Sequence, residues 1–287
     1  MKRVLVGAGI ALIGLGLGCS QSGTSPASVA PPGPAVTASA TGQHLNGYVS
    51  DTAFRPMAGV RVEVLNGSDT GKLLTSDVDG RFSYTGFLNS EVSMRATKDG
   101  YVTRTSSVVT GTSVDEAWVF FRLAPAAPPV AVAANYTLSI TVDSACAGFP
   151  DEFRTRSWPA QLTTHTADTV PANTQFDGRV GGGQFAPNAN FFWVGVAGDY
   201  LAVSTEGEGP SIVEQVGPKT YMAYGGNAGA VIPSGGSTMI SAPFTGVIEY
   251  CESNSTIAQY SDCYGNAPNA AKVQCTSEGS RLSLTPR

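Results

Sequence analysis

Apolar and polar residues alternate along much of the chain after residue 44, and this period of two constrains the fold more than any other feature. In one such run, Val60, Val62 and Val64 alternate with Arg61 and Glu63. Successive side chains of a strand point to opposite faces, so the pattern is typical of strands with one buried face. We therefore expect an all-β protein.

The chain has few charged residues, and acidic residues outnumber basic ones. Charged residues make up 14% of the 287 residues, and the formal net charge at pH 7 is −5. A phosphate backbone attracts basic proteins, so we expect no nucleic-acid partner. The length is sufficient for two domains, each with its own hydrophobic core.

The first 18 residues have the layout of a secretory signal peptide. Lys2 and Arg3 precede an apolar run over residues 4–18, which is shorter than the roughly 20 residues that cross a bilayer. A buried amino-terminal helix is the alternative, but the several glycines in this run disfavour a helix.

Cys19 directly follows this run, and residues 15–19 (LGLGC) resemble a bacterial lipobox. That resemblance implies a diacylglyceryl anchor on Cys19, and so a membrane partner, at the outer membrane or cell surface. Gly16 stands where such motifs usually have an aliphatic residue, so plain secretion stays open. Residues 19–43 are mostly small residues and proline without a charge, which predicts a disordered tether.

Four further cysteines predict two disulfides in an exported protein. They allow three pairings. We favour Cys146–Cys275 with Cys251–Cys263, because the first would join the two ends of the second domain. A zinc site is the alternative, but the spacings contain no C-x-x-C pair.

Residues 44–123 predict a small β-sandwich, since about seven short strands are separated there by turn residues. Three of these strands place alternate apolar residues inward. The inward residues are Val60, Val62 and Val64; Val92, Met94 and Ala96; and Val119, Phe121 and Leu123.

Four motifs in this region follow the order and spacing of one family. They are Gly47-Tyr48-Val49-Ser50-Asp51, Pro56-Met57-Ala58-Gly59-Val60-Arg61-Val62, Thr75-Ser76-Asp77-Val78-Asp79-Gly80-Arg81-Phe82 and Lys98-Asp99-Gly100-Tyr101. The region resembles the carboxypeptidase regulatory-like domain, a seven-stranded transthyretin-like sandwich often grouped with starch-binding-like folds. The resemblance implies an accessory module.

Neither histidine fits the zinc-binding His-x-x-Glu of the peptidases that carry this module. Gly47 and Asp168 stand three residues after His44 and His165. We therefore expect no catalysis, metal or cofactor. The acidic turn 77–80 could suggest calcium, but a strand begins directly after it, so we interpret it as a hairpin turn.

The second half continues the strand pattern after an Ala- and Pro-rich linker at 124–134. Eight to ten strands in residues 135–287, without helical periodicity, predict an antiparallel β-barrel or a second sandwich. This region loosely resembles the β-domains of uncharacterised bacterial lipoproteins. Arg154 and Arg156 would share one strand face, where we expect them to be solvated rather than paired with carboxylates.

Motifs for catalysis are missing from the second half. The whole chain has no G-x-S-x-G elbow, and its two scattered histidines do not predict a Ser-His-Asp triad. Paired carboxylates leave no local motif, so Asp151, Glu152 and Glu249 would be arbitrary choices. We assign no catalytic residue.

Aromatic residues carry the remaining functional signal. Phe191 and Trp193 would share one face of a strand, and Tyr221 and Tyr224 lie near a glycine-rich loop. Exposed rings can stack on sugars, so we name these four as candidate glycan-binding residues; the alternative is that they belong to the core. A small apolar ligand inside the second domain and an assembly role with a protein partner at the outer membrane stay open.

Overall fold

The computed structural model describes residues 43–86, 91–109, 116–166, 171–207, 209–233, 238–254, 260–263 and 270–287. The predicted signal peptide, the lipid anchor on Cys19 and the tether up to residue 42 lie outside these residues. In the part of the chain that is described, no helix is long and apolar enough to span a membrane.

The first seven strands form a sandwich of two sheets. β1 lies centrally in the three-stranded sheet, antiparallel to β4 and parallel to β7, and the other sheet has the order β3-β2-β5-β6. The strands are β1 (Gln43–Asp51), β2 (Arg61–Val64), β3 (Leu73–Thr75), β4 (Arg81–Gly86), β5 (Glu91–Thr97), β6 (Arg104–Val109) and β7 (Glu116–Leu123).

Alternation builds the core between these sheets as the sequence predicts. The inward residues of β2, β5 and β7 named above are all buried. Gly47 has no side chain to compete for this space, and a Cβ there would lie 2.0 Å from the ring of Phe82. The glycine therefore lets that ring pack across β1.

The acidic segment 77–80 is a turn. Asp77 Oδ1 accepts the backbone N–H groups of Asp79 at 2.9 Å and Arg81 at 2.8 Å. Gly80 follows with a φ of 75°, which an L-residue with a side chain rarely adopts. The carboxylate thus holds its own backbone, as the turn interpretation requires.

The remaining strands form one eleven-stranded antiparallel sheet. Its order is β15-β18-β8-β9-β10-β11-β12-β14-β16-β17, with β13 paired to β11 and β14. The strands are β8 (Asn135–Thr141), β9 (Thr155–Thr164), β10 (Gln175–Val180), β11 (Gln184–Ala197), β12 (Tyr200–Ser204), β13 (Ile212–Gly217), β14 (Thr220–Val231), β15 (Ile240–Pro243), β16 (Thr245–Ser253), β17 (Ala270–Cys275) and β18 (Arg281–Pro286).

This sheet folds over one shared core. Large rings fill its inner face, among them Tyr136, Trp158 and Phe192. The edge strands β15 and β17 form no ladder with each other in the described residues. The predicted all-β class is confirmed; of the two predicted forms of the second half, the sandwich-like one is observed, since hydrogen bonds do not close the described strands into a barrel.

Two of the eleven strands, β10 and β17, escaped the sequence analysis, and only the alternation of Arg154 and Arg156 indicated β9. Pro159 interrupts β9, and a proline ordinarily argues against a strand inside a sheet. In β10, Gly178 faces the ring of Phe192, where a Cβ would come within 2.4 Å. Pro159 and Gly178 fit the packing around them, but they weaken the strand pattern in the sequence.

The expectation that Arg154 and Arg156 are solvated is wrong. Arg154 precedes β9 and donates to Asp151 and to the carbonyl oxygens of three residues in the preceding loop. Arg156 makes a two-pronged ion pair with the buried Glu214, at 2.8 and 2.6 Å. The fold is the cause, because it brings Glu214 of β13 within hydrogen-bonding distance of Arg156 at the start of β9.

Both disulfides have the pairing favoured from the sequence. Cys146 is bonded to Cys275 with a Cα–Cα distance of 5.7 Å, and Cys251 to Cys263 with 6.0 Å. The first ties the loop after β8 to the end of β17. The second fixes a short 3₁₀ helix (Tyr260–Cys263) against β16.

The turn after β1 packs against the outer face of β11. Gly195 makes this close approach possible, since a Cβ there would lie 2.4 Å from the Thr52 carbonyl oxygen. Arg55 covers the ring of Tyr200 at 4.1 Å from its centroid. The linker adds a backbone bond of 2.9 Å from Val130 to Gly198. The sandwich and the eleven-stranded sheet are therefore in direct contact through this turn and the linker.

Candidate functional site

Two of the predicted ligand-binding rings lie on the outer face of β11. Phe191 and Trp193 are half-exposed, with ring centroids 4.9 Å apart and an edge-to-face angle of 82°. Phe192 between them is buried in the core. The predicted alternation of these three residues is thus what the structure has.

Tyr221 and Tyr224 are core residues, which corrects their selection as exposed ligand-binding rings. Tyr224 packs edge-to-face on Trp158 at 5.3 Å, and burial raises the pKa of the Tyr224 hydroxyl well above its ordinary value. Tyr221 belongs to a second small cluster beside the Cys251–Cys263 disulfide. Because β14 is covered on both faces, neither tyrosine can stack on an external ligand.

An exposed aromatic surface occurs instead on the first sandwich. The outward residues Trp118 and Phe120 of β7 are 49% and 65% exposed. Their rings lie 6.1 Å apart and within 14° of parallel. Tyr48 of β1 is the cross-strand neighbour of Phe120. We call these three residues the aromatic strip.

The aromatic strip is a candidate site that the sequence analysis missed. The alternation that places Val119 and Phe121 inward also places Trp118 and Phe120 outward. That signal was present in the sequence. Exposed apolar patches on a soluble protein commonly mark a binding surface, so the strip is the first candidate site.

A cavity of about 430 Å³ opens beside the strip, between β6 and β7. Aromatic rings, hydroxyl groups and two arginines share its wall; we call it the edge cavity. Its described lining residues are Tyr48, Ser50, Arg104, Thr105, Ser106, Phe120, Phe121 and Arg122.

A second cavity of about 310 Å³ lies where the sandwich meets the eleven-stranded sheet. We call it the junction cavity. It contains Trp193, one of the predicted ligand-binding residues, and it also has Arg122 in its wall. Its described lining residues are Phe54, Arg122, His165, Gln175, Phe176, Trp193, Ser204 and Glu206.

A strained residue shapes the junction cavity. Phe54 has a φ of 65°, which is costly for a residue with a bulky side chain. Asp51 holds the turn by accepting the N–H groups of Ala53 at 2.8 Å and Arg55 at 3.0 Å. This arrangement places the Phe54 ring beside the guanidinium of Arg122, 5.4 Å from the ring centroid.

Arg122 joins the two cavities. Its Nη1 donates to Gln175 Oε1 at 2.8 Å, and burial lowers the pKa of the guanidinium. Within the residues that the structure describes, no carboxylate forms an ion pair with it. Burial likewise raises the pKa of Tyr48, which stands on the same sheet face.

Two of the three carboxylates considered for catalysis, Glu249 and Asp151, have basic neighbours. Lys272 Nζ lies 2.6 Å from Glu249 Oε1, and Arg154 binds Asp151 at 2.8 Å. His165 Nδ1 lies 2.9 Å from Asp177 Oδ2 in the wall of the junction cavity. Across the described ranges, no group of three His, Cys, Asp or Glu side chains is arranged to hold a metal ion.

Solved structures of low identity resemble this chain. A type II cohesin–X-dockerin complex from Acetivibrio cellulolyticus is 20% identical, with 29% of this chain and 58% of that chain covered, at a TM-score of 0.23. For BcpA, the major pilin subunit of Bacillus cereus, the values are 10%, 85%, 57% and 0.27. For a putative membrane-associated protein of unknown function from Bacteroides fragilis they are 9%, 86%, 98% and 0.24.

Family membership is defined for the sandwich alone. No curated protein matches the chain. Residues 44–124 match the family model of the carboxypeptidase regulatory-like domain, in agreement with the four motifs of the sequence. The chain therefore contains a carboxypeptidase regulatory-like domain, which carries the aromatic strip.

Proposed function

We propose that the protein is a non-catalytic surface module that binds carbohydrate on the aromatic strip. The observation that carries this proposal is the near-parallel, exposed pair of Trp118 and Phe120. Exposure of such rings to water is unfavourable. A ligand with flat apolar faces would cover them and so bind favourably.

Sugar rings have this mixed character, since their C–H groups form apolar faces and their hydroxyl groups form a polar rim. The two parallel rings offer successive stacking positions along β7, about 6.6 Å apart for residues i and i+2 of a strand. Hydroxyl groups of Thr105 and Ser106 border the edge cavity beside them. A few convergent polar groups next to rings are typical of ligand sites.

The predicted signal peptide and lipid anchor would suit such a role. With a lipid anchor on Cys19, a tether of about 24 flexible residues would span roughly 25–30 Å. The tether would then separate the module from the bilayer that holds the anchor, at the outer membrane or cell surface.

A glycan array tests the proposal. We expect the wild-type protein to bind a subset of glycans and Trp118→Ala to weaken binding about tenfold, the loss of one stacking contact. Phe191→Ala is the matched control, since it removes a half-exposed ring from the other sheet. A blank array, or equal binding by Trp118→Ala, would refute carbohydrate binding at the strip.

A protein partner is the second candidate. β7 forms one edge of the three-stranded sheet, and an edge strand with exposed rings can pair with a strand of another chain. Packing gives no support to an apolar ligand within the second half, because large rings occupy the inner face of the folded sheet.

A further inference from the structure

Arg122 is poorly compensated for a half-buried charge. Among the described residues, its hydrogen-bond partner is the neutral amide of Gln175, and its guanidinium also lies near the ring of Phe54. Removing a charge from water costs free energy unless an opposite charge or several hydrogen bonds replace the lost hydration. An oxyanion supplied by a ligand would meet that need.

The surroundings of Arg122 favour an anion. Arg104 lines the same edge cavity, whose described lining contains no acidic side chain, whereas the junction cavity that Arg122 also lines contains Glu206, which forms no ion pair with Arg122 among the described residues. The whole chain is acidic, with a formal net charge of −5, so this cavity differs in sign from the molecule around it. A local basic site on an acidic protein selects for anionic groups by charge complementarity.

The position of Arg122 relates it to the aromatic strip. Trp118, Phe120 and Arg122 follow one another at every second residue of β7, so all three lie on the same sheet face. A sugar stacked on Phe120 would hold its substituents near the guanidinium, because Phe120 and Arg122 are two residues apart on the strand. The planar guanidinium fork binds carboxylates and other oxyanions through two parallel hydrogen bonds.

We infer that the ligand is an acidic saccharide whose carboxylate or sulfate group binds Arg122 while a sugar ring stacks on Phe120. This inference rests on the proposed carbohydrate binding and adds the chemical class of the sugar. Carboxylate and sulfate share the oxyanion chemistry that the site recognises.

Calorimetry with three tetrasaccharides tests the inference: an oligogalacturonate, a sulfated oligogalactose and a neutral oligogalactose. We expect at least one acidic probe to bind wild-type protein about tenfold more tightly than the neutral probe. Arg122→Gln should reduce this ratio towards one, whereas Arg122→Lys should retain part of it. Arg179→Gln is the matched control, since Arg179 is an exposed arginine on β10, and it should keep the wild-type ratio.

Each outcome has a distinct meaning. Equal binding of neutral and acidic probes would overturn the acidic class and leave carbohydrate binding standing. No binding of any probe, in a protein that also gives a blank glycan array, would overturn both. An unchanged ratio in Arg122→Gln would remove Arg122 from the site, provided that the variant unfolds at the wild-type temperature.

Discussion

The Arg156–Glu214 pair shows how a single buried carboxylate controls the positions around it. Glu214 is almost fully buried, and both of its oxygens accept hydrogen bonds from Arg156. Arg156→Met would leave this carboxylate without its partner. We expect the free energy of unfolding, measured by urea denaturation, to fall by about 2–3 kcal/mol, less than the roughly 3–5 kcal/mol for a fully buried pair because Arg156 is partly exposed.

Two further variants complete this test. Arg179→Met changes an exposed arginine and should shift the stability by no more than about 0.5 kcal/mol. Arg156→Met combined with Glu214→Leu removes both charges and should recover part of the loss. If Arg156→Met unfolds like wild type, the ion pair contributes nothing measurable.

Tyr84 predicts how stability changes at alkaline pH. Its hydroxyl donates to Asp69 Oδ2 at 2.6 Å, and burial with this hydrogen bond raises the pKa of Tyr84 from 10.0 to about 12. Between those values the unfolded chain has lost a proton that the native state keeps. The free energy of unfolding should therefore fall as the pH rises from 10 to 12.

The variant Tyr84→Phe isolates this effect. It should make the decline less steep across that interval, in urea titrations at successive pH values. Other tyrosines with raised pKa values, such as Tyr48 and Tyr250, leave a residual slope. Identical slopes in the two proteins would contradict the assignment to Tyr84.

At the scale of the strand, alternation predicts which side chains point into the core. It does not predict which outward side chains are buried by another part of the chain. In β7 no described residue covers the outward face at Trp118 and Phe120, and both rings stay exposed. In β14 both faces are covered, so Tyr221 and Tyr224 are buried together. The alternation of apolar and polar residues is visible in the sequence. The segments that pack on each face are not, because long-range strand pairing determines them.

Turns and disulfides were accessible to sequence reasoning for a related reason. The turn at Asp77 and Gly80 depends on contacts within four residues, and the cysteine pairing follows from few alternatives. The ion pair of Arg156 depends instead on a partner 58 residues away. Both cavities likewise form between segments that are distant in sequence.

The two disulfides should stabilise the second half unequally. Cys146–Cys275 closes a separation of 129 residues and Cys251–Cys263 one of 12. Loop-closure entropy predicts losses of about 5 and about 3 kcal/mol when each pair is replaced by serine. Urea unfolding without reductant measures both; a larger loss for the short loop would contradict this explanation.

For the whole molecule, the contact between the sandwich and the eleven-stranded sheet should make unfolding cooperative. A methyl group in Gly195→Ala would lie 2.4 Å from the Thr52 carbonyl oxygen and 2.9 Å from Ala53 Cα. We expect a loss of about 1–3 kcal/mol and separation of the calorimetric transition into two steps. Gly181→Ala meets no atom within 4 Å and should change neither; a single unshifted transition in Gly195→Ala would contradict a tight junction.

The account depends most on the aromatic strip, and the three tryptophans of the chain allow it to be tested directly. Each indole N–H gives a separate NMR signal: Trp118 on the strip, Trp158 in the core and Trp193 in the junction cavity. During titration with the best glycan from the array, we expect the largest shift at Trp118 and none at Trp158. The largest shift at Trp193, or no shift at saturating glycan, would contradict carbohydrate binding on the strip.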